Sequence, residues 1–170
     1  QEKPKCNILN VSNPSYNSIE FTHISPKDSI IILNANGFWD REETHSLFWF
    51  KNSPKHIKYK LHSTIDSIAI YSVNSVDFTL NSSIKFDSTN QQVLIKCNQP
   101  IQSLDPNKFQ WQSSNEPTNP ILLNNFTISI PANFNDKKQL LVNSGAIHSI
   151  FNTMNDSILF NLDFNKINYG

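Results

Sequence analysis

The sequence predicts an all-β protein made of two antiparallel β-sandwich units in tandem. Short apolar runs separated by Pro, Asn, Asp and Ser clusters recur along the whole chain, and strands at such spacing are typical of sandwiches. No helical periodicity continues beyond about one turn. The triplet Asp-Ser-Ile also opens three apolar runs, at Asp28, Asp66 and Asp156. Asp and Ser favour turns while Ile favours strands, so each copy predicts a turn that leads into a strand, and the recurrence indicates related units.

The apolar runs place the strands of each unit. We expect the first unit to span residues 1–75 and the second to span residues 76–170, with the boundary in a polar, Ser- and Asn-rich segment. Residues 144–152 are expected to hold a short helical turn. The strands predicted in the first unit are 6–11, 18–24, 29–34, 45–50, 56–62 and 66–72. Those predicted in the second unit are 77–80, 92–97, 108–112, 121–123, 126–130, 138–142 and 157–164.

The run 56–62 alternates between apolar and basic residues, as a strand with one solvated face does. The residues expected to face the core are Ile57, Tyr59 and Leu61. The residues expected to face water are His56, Lys58, Lys60 and His62. Such a basic row discourages edge-to-edge aggregation; alternatively, it offers a docking point for a phosphate or an acidic partner.

The run 47–50, Leu-Phe-Trp-Phe, is apolar on both faces. It predicts a central strand, or a strand whose outer face meets another domain or protein. The candidate partner contacts are therefore Trp39, Phe48 and Phe50, together with the basic pair Lys58 and Lys60. An alternative function is carbohydrate binding through exposed indoles, with Trp39, Trp49 and Trp111 as the candidates.

Composition excludes several classes of function. The 170 residues carry 14 basic and 14 acidic side chains, so no overall charge favours nucleic acid or an anionic membrane. Three glycines are too few for a phosphate-binding or dinucleotide-binding loop. No apolar run approaches the roughly 18 residues that a membrane-spanning helix needs. The chain opens without Met, which indicates a processed or excised segment, so we expect membrane attachment only through an anchor outside this chain.

No grouping of residues predicts catalysis or a bound cofactor. Residues 40–43, Asp-Arg-Glu-Glu, carry three carboxylates close together in the sequence, and we interpret them as a solvated loop rather than a glycosidase pair. The sequence has no zinc-type His or Cys spacing, no Asp-rich calcium loop and no Gly-x-Ser-x-Gly. Of the two cysteines, Cys97 is expected to be a buried free thiol, with a Cys6–Cys97 disulfide as the alternative. We therefore expect no enzyme, no metal and no cofactor.

The second unit carries a more specific pattern. An apolar strand, residues 93–97, leads to Pro100-Ile101, Asp105 and Lys108-Phe109; a later apolar strand leads to Gly145-Ala146-Ile147 and a closing strand. This pattern resembles the bacterial Ig-like domain of the S-layer-protein type. It is most similar to Ig-like outer-membrane lipoproteins of Bacteroidota, in which a Tyr-Gly pair follows the domain, as 169–170 does here.

The resemblance covers the second unit well and the first weakly. Ser144 stands where Pro is common, and Asn152 stands where Gly is common, although Asn tolerates the same left-handed geometry. The first unit is expected to lack its opening strand, because Lys3-Pro4 already occupies the position that Pro100 holds in the second. The core of the second unit is expected to contain Phe109, Trp111, Ile128, Ile130, Leu141 and Phe160.

The resemblance implies a function without catalytic residues. It implies a non-catalytic Ig-like scaffold or protein-interaction module in an exported surface lipoprotein of Bacteroidota, at the outer membrane or cell surface. Such a module is expected to contact a protein partner or neighbouring domains, and not nucleic acid. An accessory subunit of an outer-membrane assembly or secretion machine is one setting for it.

Overall fold

The computed structural model describes residues 8–24, 29–52, 54–81, 84–133 and 138–162, with no side chain described for Lys138. In this part of the chain every paired strand is antiparallel, and the helical content is one 3-10 turn, Pro106–Lys108. The all-β prediction is confirmed. The chain divides into two compact units, Gln1–Val76 and Asp77–Gly170.

The first unit is a sandwich of a four-stranded and a three-stranded sheet. Its strands in the described residues are β1 (Ile8–Ser15), β2 (Ser18–His23), β3 (Ile30–Ile32), β4 (Gly37–Arg41), β5 (His45–Phe50), β6 (His56–Leu61) and β7 (Thr64–Ala69). The sheet orders are β1-β2-β5-β4 and β3-β6-β7. With the strands lettered A to G, these are the A-B-E-D and C-F-G sheets of a constant-type immunoglobulin sandwich.

The second unit repeats this arrangement and adds a ribbon. Its described strands are β8 (Lys85–Asp87), β9 (Gln92–Lys96), β10 (Ile101–Leu104), β11 (Phe109–Trp111), β12 (Ile121–Leu122), β13 (Thr127–Pro131), β14 (Lys138–Val142), β15 (Ile147–Ser149) and β16 (Ile158–Leu162). The orders β12-β13-β9-β8 and β11-β14-β16 match the two sheets of the first unit strand for strand. The additional β10-β15 ribbon has no counterpart among the described strands of the first unit.

The strand-for-strand match corrects one expectation. The first unit was expected to lack its opening strand, but β1 occupies that place and pairs with β2 along its length. Lys3 and Pro4, on which that expectation rested, lie outside the described residues. An opening strand needs only a free edge of β2 to pair with, and Val11 opposite Phe21 supplies an apolar contact on the core side.

The core of the first unit lies between its two sheets. The fully or nearly buried side chains come from alternate positions of four strands: Ile19, Phe21, Ile30, Phe48, Phe50, Ile57, Tyr59 and Leu61. The predicted alternation of 56–62 is confirmed, since the odd-numbered residues are buried. His56, Lys58 and His62 are exposed, and Lys60 is half-buried. Strand β5 lies between β2 and β4, which confirms that it is a central strand.

The core of the second unit confirms most of its predicted members. Phe109, Trp111, Ile128, Ile130 and Phe160 are all at most 5% exposed. The prediction for Leu141 was wrong, because Leu140 and Val142 point inward instead and Leu141 is half-buried. Neighbouring residues of a strand face opposite sides, and the pairing of Leu140 with Trp111 and Phe160 fixes which side is inside.

Several strands differ from the prediction. Residues 40–41, expected in a solvated loop, end β4 at the edge of its sheet, where polar residues are tolerated. The short helical turn expected in 144–152 is instead β15 between two turns. Strand β10 was not predicted, and 77–80 forms only the isolated bridge from Leu80 to Cys97.

The three Asp-Ser-Ile copies do not share one structure. Asp156 and Ser157 precede β16, as predicted, and Asp28 lies outside the described residues. Asp66 is different, because it lies within β7 rather than in a turn. The turn comes earlier, at His62-Ser63, since Leu61 pairs directly with Thr64. The Asp66 carboxylate still accepts from the next backbone N–H, that of Ser67, at 2.8 Å, but it does so inside the strand.

Two turn residues of the second unit have the expected left-handed backbone. Gly145 has φ 78° in the turn before β15, a conformation that favours glycine. Asn152 has φ 62°, the left-handed conformation that Asn was expected to tolerate here. Pro100 lies between β9 and β10, in agreement with its predicted role of ending the strand.

The buried side chain of Asn13 joins strand β1 to the segment that follows β7. Its side chain is 3% exposed. Its Oδ1 accepts from the backbone N–H groups of Tyr71 and Ser72, at 2.9 and 2.7 Å. Its Nδ2 donates to the carbonyl oxygens of Ser15 and Ser18, at 2.6 and 2.8 Å. All four hydrogen-bonding positions of the amide are therefore used, and they tie β1 to the segment that follows β7.

Replacing Asn13 with Ala is expected to lower the free energy of unfolding of the first unit by about 2 kcal/mol, because the substitution leaves backbone groups without partners. Denaturant unfolding followed by hydrogen exchange of β1 and β2 measures this. Asn10→Ala is the control: Asn10 is exposed on the same strand, and its loss is expected to cost less than about 0.5 kcal/mol. Equal effects of the two substitutions would contradict the role of Asn13.

Candidate interaction surface

The outer face of the sheet β3-β6-β7 joins aliphatic and basic side chains. In the register of this sheet, Ile31 lies opposite Lys60, and Lys60 lies opposite Ile65. In the next row the backbone N–H of Leu33 donates to the carbonyl of Lys58, at 2.9 Å. The three aliphatic side chains are 54%, 47% and 60% exposed in the order Ile31, Leu33 and Ile65. We call Ile31, Leu33, Lys58, Lys60 and Ile65 the basic face.

A side chain at the end of β3 fixes this face. Asn34 donates through Nδ2 to the carbonyl of His56, at 2.7 Å, and accepts through Oδ1 from the N–H of Lys58, at 2.8 Å. The amide thus continues the pairing of β3 with β6 beyond the last strand residue. Because the inward side chains of β6 are buried, both the backbone and the direction of Lys58 and Lys60 are held by the core.

The charge of the face has one sign. The described outward positions of β6 are His56, Lys58 and Lys60, and those of β7 are Ile65, Ser67 and Ala69. Asp66, the one acidic residue of these two strands, points to the opposite side, beside Tyr59. Burial, the charge of Asp66 and a hydrogen bond to it together raise the pKa of Tyr59 above its usual value.

Sequence reasoning found the two lysines and missed the aliphatic residues beside them. The run Ile30-Ile31-Ile32 contained the signal, because three consecutive apolar residues in a strand must present one of them outward. Ile65 was missed because β7 was expected to begin at Asp66. The tight turn at His62-Ser63 moves its start to Thr64.

Trp39 lies at the rim of the core rather than on an open platform. The guanidinium carbon of Arg41 is 4.0 Å from the centre of the indole ring, a cation–π contact. The rings of Phe21 and Phe48 lie 5.6 and 5.1 Å away. Arg41 also donates to the carbonyl of Ile30, at 3.2 Å, so it links β4 to the other sheet. Whether Trp39 contacts a partner stays a prediction.

Phe48 and Phe50 belong to the core, which corrects their interpretation as surface contacts. Phe48 is 3% exposed and Phe50 is fully buried, and both pack among the residues between the sheets. A central strand flanked by β2 and β4 turns one of its faces to the opposite sheet. The even-numbered residues of β5 are on that face.

The indole rings do not form a sugar-binding platform. Trp49 is 3% exposed and Trp111 is 5% exposed, while Arg41 and two phenyl rings pack against half-buried Trp39. A stacking platform needs exposed, coplanar rings. These arrangements therefore speak against the carbohydrate-binding alternative.

The described residues show no catalytic or metal-binding cluster. No three His, Cys, Asp or Glu side chains converge in the described part of the chain. A groove of about 790 Å³ opens between β1 and β7, with Tyr59, Asp66 and His62 among its lining residues. Cys97 is buried and free, and burial raises the pKa of its thiol to about 12, so the thiol stays protonated at neutral pH. Cys6 lies outside the described residues.

Comparison with known proteins adds little to this picture. No family model matches the chain, and no curated protein matches it. Among solved structures, domains 5–6 of the S-layer protein SbsC are similar over 94% of this chain and 98% of that one, with 10% identity and a TM-score of 0.38. A likeness at that score carries no argument about this chain. Within the described residues, no helix has the length and apolarity needed to cross a membrane.

Proposed function

We propose that the chain is a non-catalytic, Ig-like interaction module of an exported surface protein. The observation that carries this proposal is the basic face, an ordered sheet surface on which three aliphatic side chains are about half exposed beside two lysines. A patch of exposed aliphatic groups beside polar residues marks a protein contact surface, whereas a single exposed side chain does not. An immunoglobulin-type sandwich supports such a role, although the fold alone does not define it.

The setting of this module is part of the proposal. The motifs at 93–109 and 145–160 resemble Ig-like domains of Bacteroidota surface lipoproteins. We therefore propose a surface lipoprotein as the parent, with an accessory role in an outer-membrane assembly or secretion machine. Protease treatment of intact cells tests the location: digestion of the native parent protein without lysis supports it, and protection until lysis contradicts it.

Site-specific photo-crosslinking tests the contact surface. With benzoylphenylalanine in place of Ile65 or Ile31 in the native parent protein, ultraviolet light is expected to give one discrete crosslinked product. Val73 is the control position, because it is an aliphatic residue of the same unit that is 92% exposed and lies outside the basic face. Products from all three positions, or from none, would contradict a specific contact at the basic face.

A further inference from the structure

The two lysines of the basic face form a pair of defined spacing. Lys58 and Lys60 are two residues apart on β6. Their side chains therefore point to the same side of the sheet, about 7 Å apart along the strand. Ile31 and Ile65 lie on either side of Lys60, about 10 Å from each other across three strands. Lysine stems pack along such aliphatic groups while their charged ends stay in solvent.

This arrangement limits what can bind. Two copies of the face would place lysine against lysine, so self-association through it is disfavoured. Nucleic acid binding relies on several phosphate contacts and on aromatic or Arg stacking, whereas the face offers two lysines and no aromatic ring. Carboxylates flanked by aliphatic side chains satisfy both parts of the surface at once.

We propose that the basic face binds an acidic protein segment whose carboxylates contact Lys58 and Lys60 while the aliphatic side chains on either side of them contact the exposed aliphatic side chains of the face. The proposal rests on the interaction function proposed above and adds the chemistry of the partner. In an extended segment, carboxylates two residues apart have the same spacing of about 7 Å as the two lysines. Charge therefore selects the partner, and the aliphatic contacts add affinity.

A defined peptide tests the chemistry without the native partner. The probe is acetylated, amidated Ser-Val-Ser-Glu-Ser-Glu-Ser-Val-Ser, in which the Val and Glu side chains share one face when extended. Titration into the isotope-labelled full chain is expected to shift the amide resonances of β3, β6 and β7. One comparison peptide has Lys for both Glu, the second has Ser for both Val, and a single-stranded oligothymidine represents nucleic acid.

Charge reversal links the binding to the two lysines. The variant Lys58→Glu/Lys60→Glu is expected to bind the acidic peptide at least about ten-fold more weakly, or about 1.4 kcal/mol, and to gain affinity for the Lys peptide. The matched control Lys51→Glu/Lys85→Glu makes the same change of net charge at exposed positions outside the face and is expected to bind as the parent does. Lys58→Gln/Lys60→Gln gives an intermediate variant, and circular dichroism verifies that every variant is folded.

Several results would overturn the proposal. These are unshifted β3, β6 and β7 resonances, equal binding of the acidic and basic peptides, equal affinity of the peptide without Val, and oligothymidine binding as tight as that of the acidic peptide. Loss of binding in the control variant would also do so. Crosslinking from Ile65 in the native protein does not depend on the partner's charge, so it separates failure of this proposal from failure of the interaction function.

Discussion

Replacing Gly37 with Ala is expected to destabilise the first unit by about 3 kcal/mol, near the upper end of the usual cost of overpacking. A Cβ atom built at this position would lie 2.0 Å from the carbonyl oxygen of Trp49 and 2.6 Å from Cζ of Phe48. Neither neighbour can move freely. The oxygen belongs to the central strand β5, which is paired on both sides, and Phe48 is packed in the core. The strain must therefore displace β4.

Hydrogen exchange measures this effect within the first unit. Faster exchange is expected for the amides of β4 and β5 in Gly37→Ala, in proportion to the lost free energy of unfolding. Asn36→Ala is the control, because Asn36 is the exposed preceding residue. If both variants exchange β5 amides at the parent rate, then β4 does not approach β5 as closely as the structure shows.

The sequence predicted the architecture best where one face of a strand is buried and the other solvated. Alternation in 56–62 gave the correct inward residues, and the apolar run 47–50 gave the central strand. Burial on one face is a period-2 signal that any correct register must satisfy. Short apolar runs of this kind repeat along the chain, and this repetition correctly predicted a β-sandwich.

The errors arose where local sequence does not determine pairing. Strand β4 contains Asp40 and Arg41 and lies at a sheet edge, so its polarity matches that of a loop. Strands β10 and β15 pair with each other across more than 40 residues, as Leu104 with Ile147 shows, and no short window contains that information. Leu140, Leu141 and Val142 are all apolar, so only the pairing with β11 and β16 decides which of them is inside.

The sequence predicted the lysines of the basic face but not its exposed aliphatic side chains. Lys58 and Lys60 follow from alternation alone. Their proximity to Ile31 and Ile65 follows from the pairing of β3 and β7 with β6, which joins three separate segments. The contact prediction for Phe48 and Phe50 failed for a related reason. A strand that is apolar on both faces needs a neighbour on each face, and here the opposite sheet covers the face that carries Phe48 and Phe50.

Replacing Trp111 with Ala is expected to lower the free energy of unfolding of the second unit by roughly 3–5 kcal/mol, as large-to-small aromatic changes in a core do. Trp111 is 5% exposed, lies on the third strand of the unit's immunoglobulin-type order and packs in the same cluster as Phe109 and Phe160. Its partner across the sheet, Leu140, is fully buried. Among the described strands, β11 pairs only with β14, so its register against β14 decides whether the indole points into the core.

Two further variants serve as comparisons for Trp111→Ala, one at the same position and one on the surface of the same unit. Trp111→Phe keeps an aromatic ring and is expected to lose less than Trp111→Ala, because the remaining cavity is smaller. Leu159→Ala truncates a 46% exposed residue on the outward side of β16 and is expected to cost less than about 1 kcal/mol. Denaturant unfolding followed by hydrogen exchange of β11 and β14 measures all three variants. A midpoint for Trp111→Ala equal to that of the parent would mean that the indole does not fill the core, and the register of β11 against β14 would then be wrong.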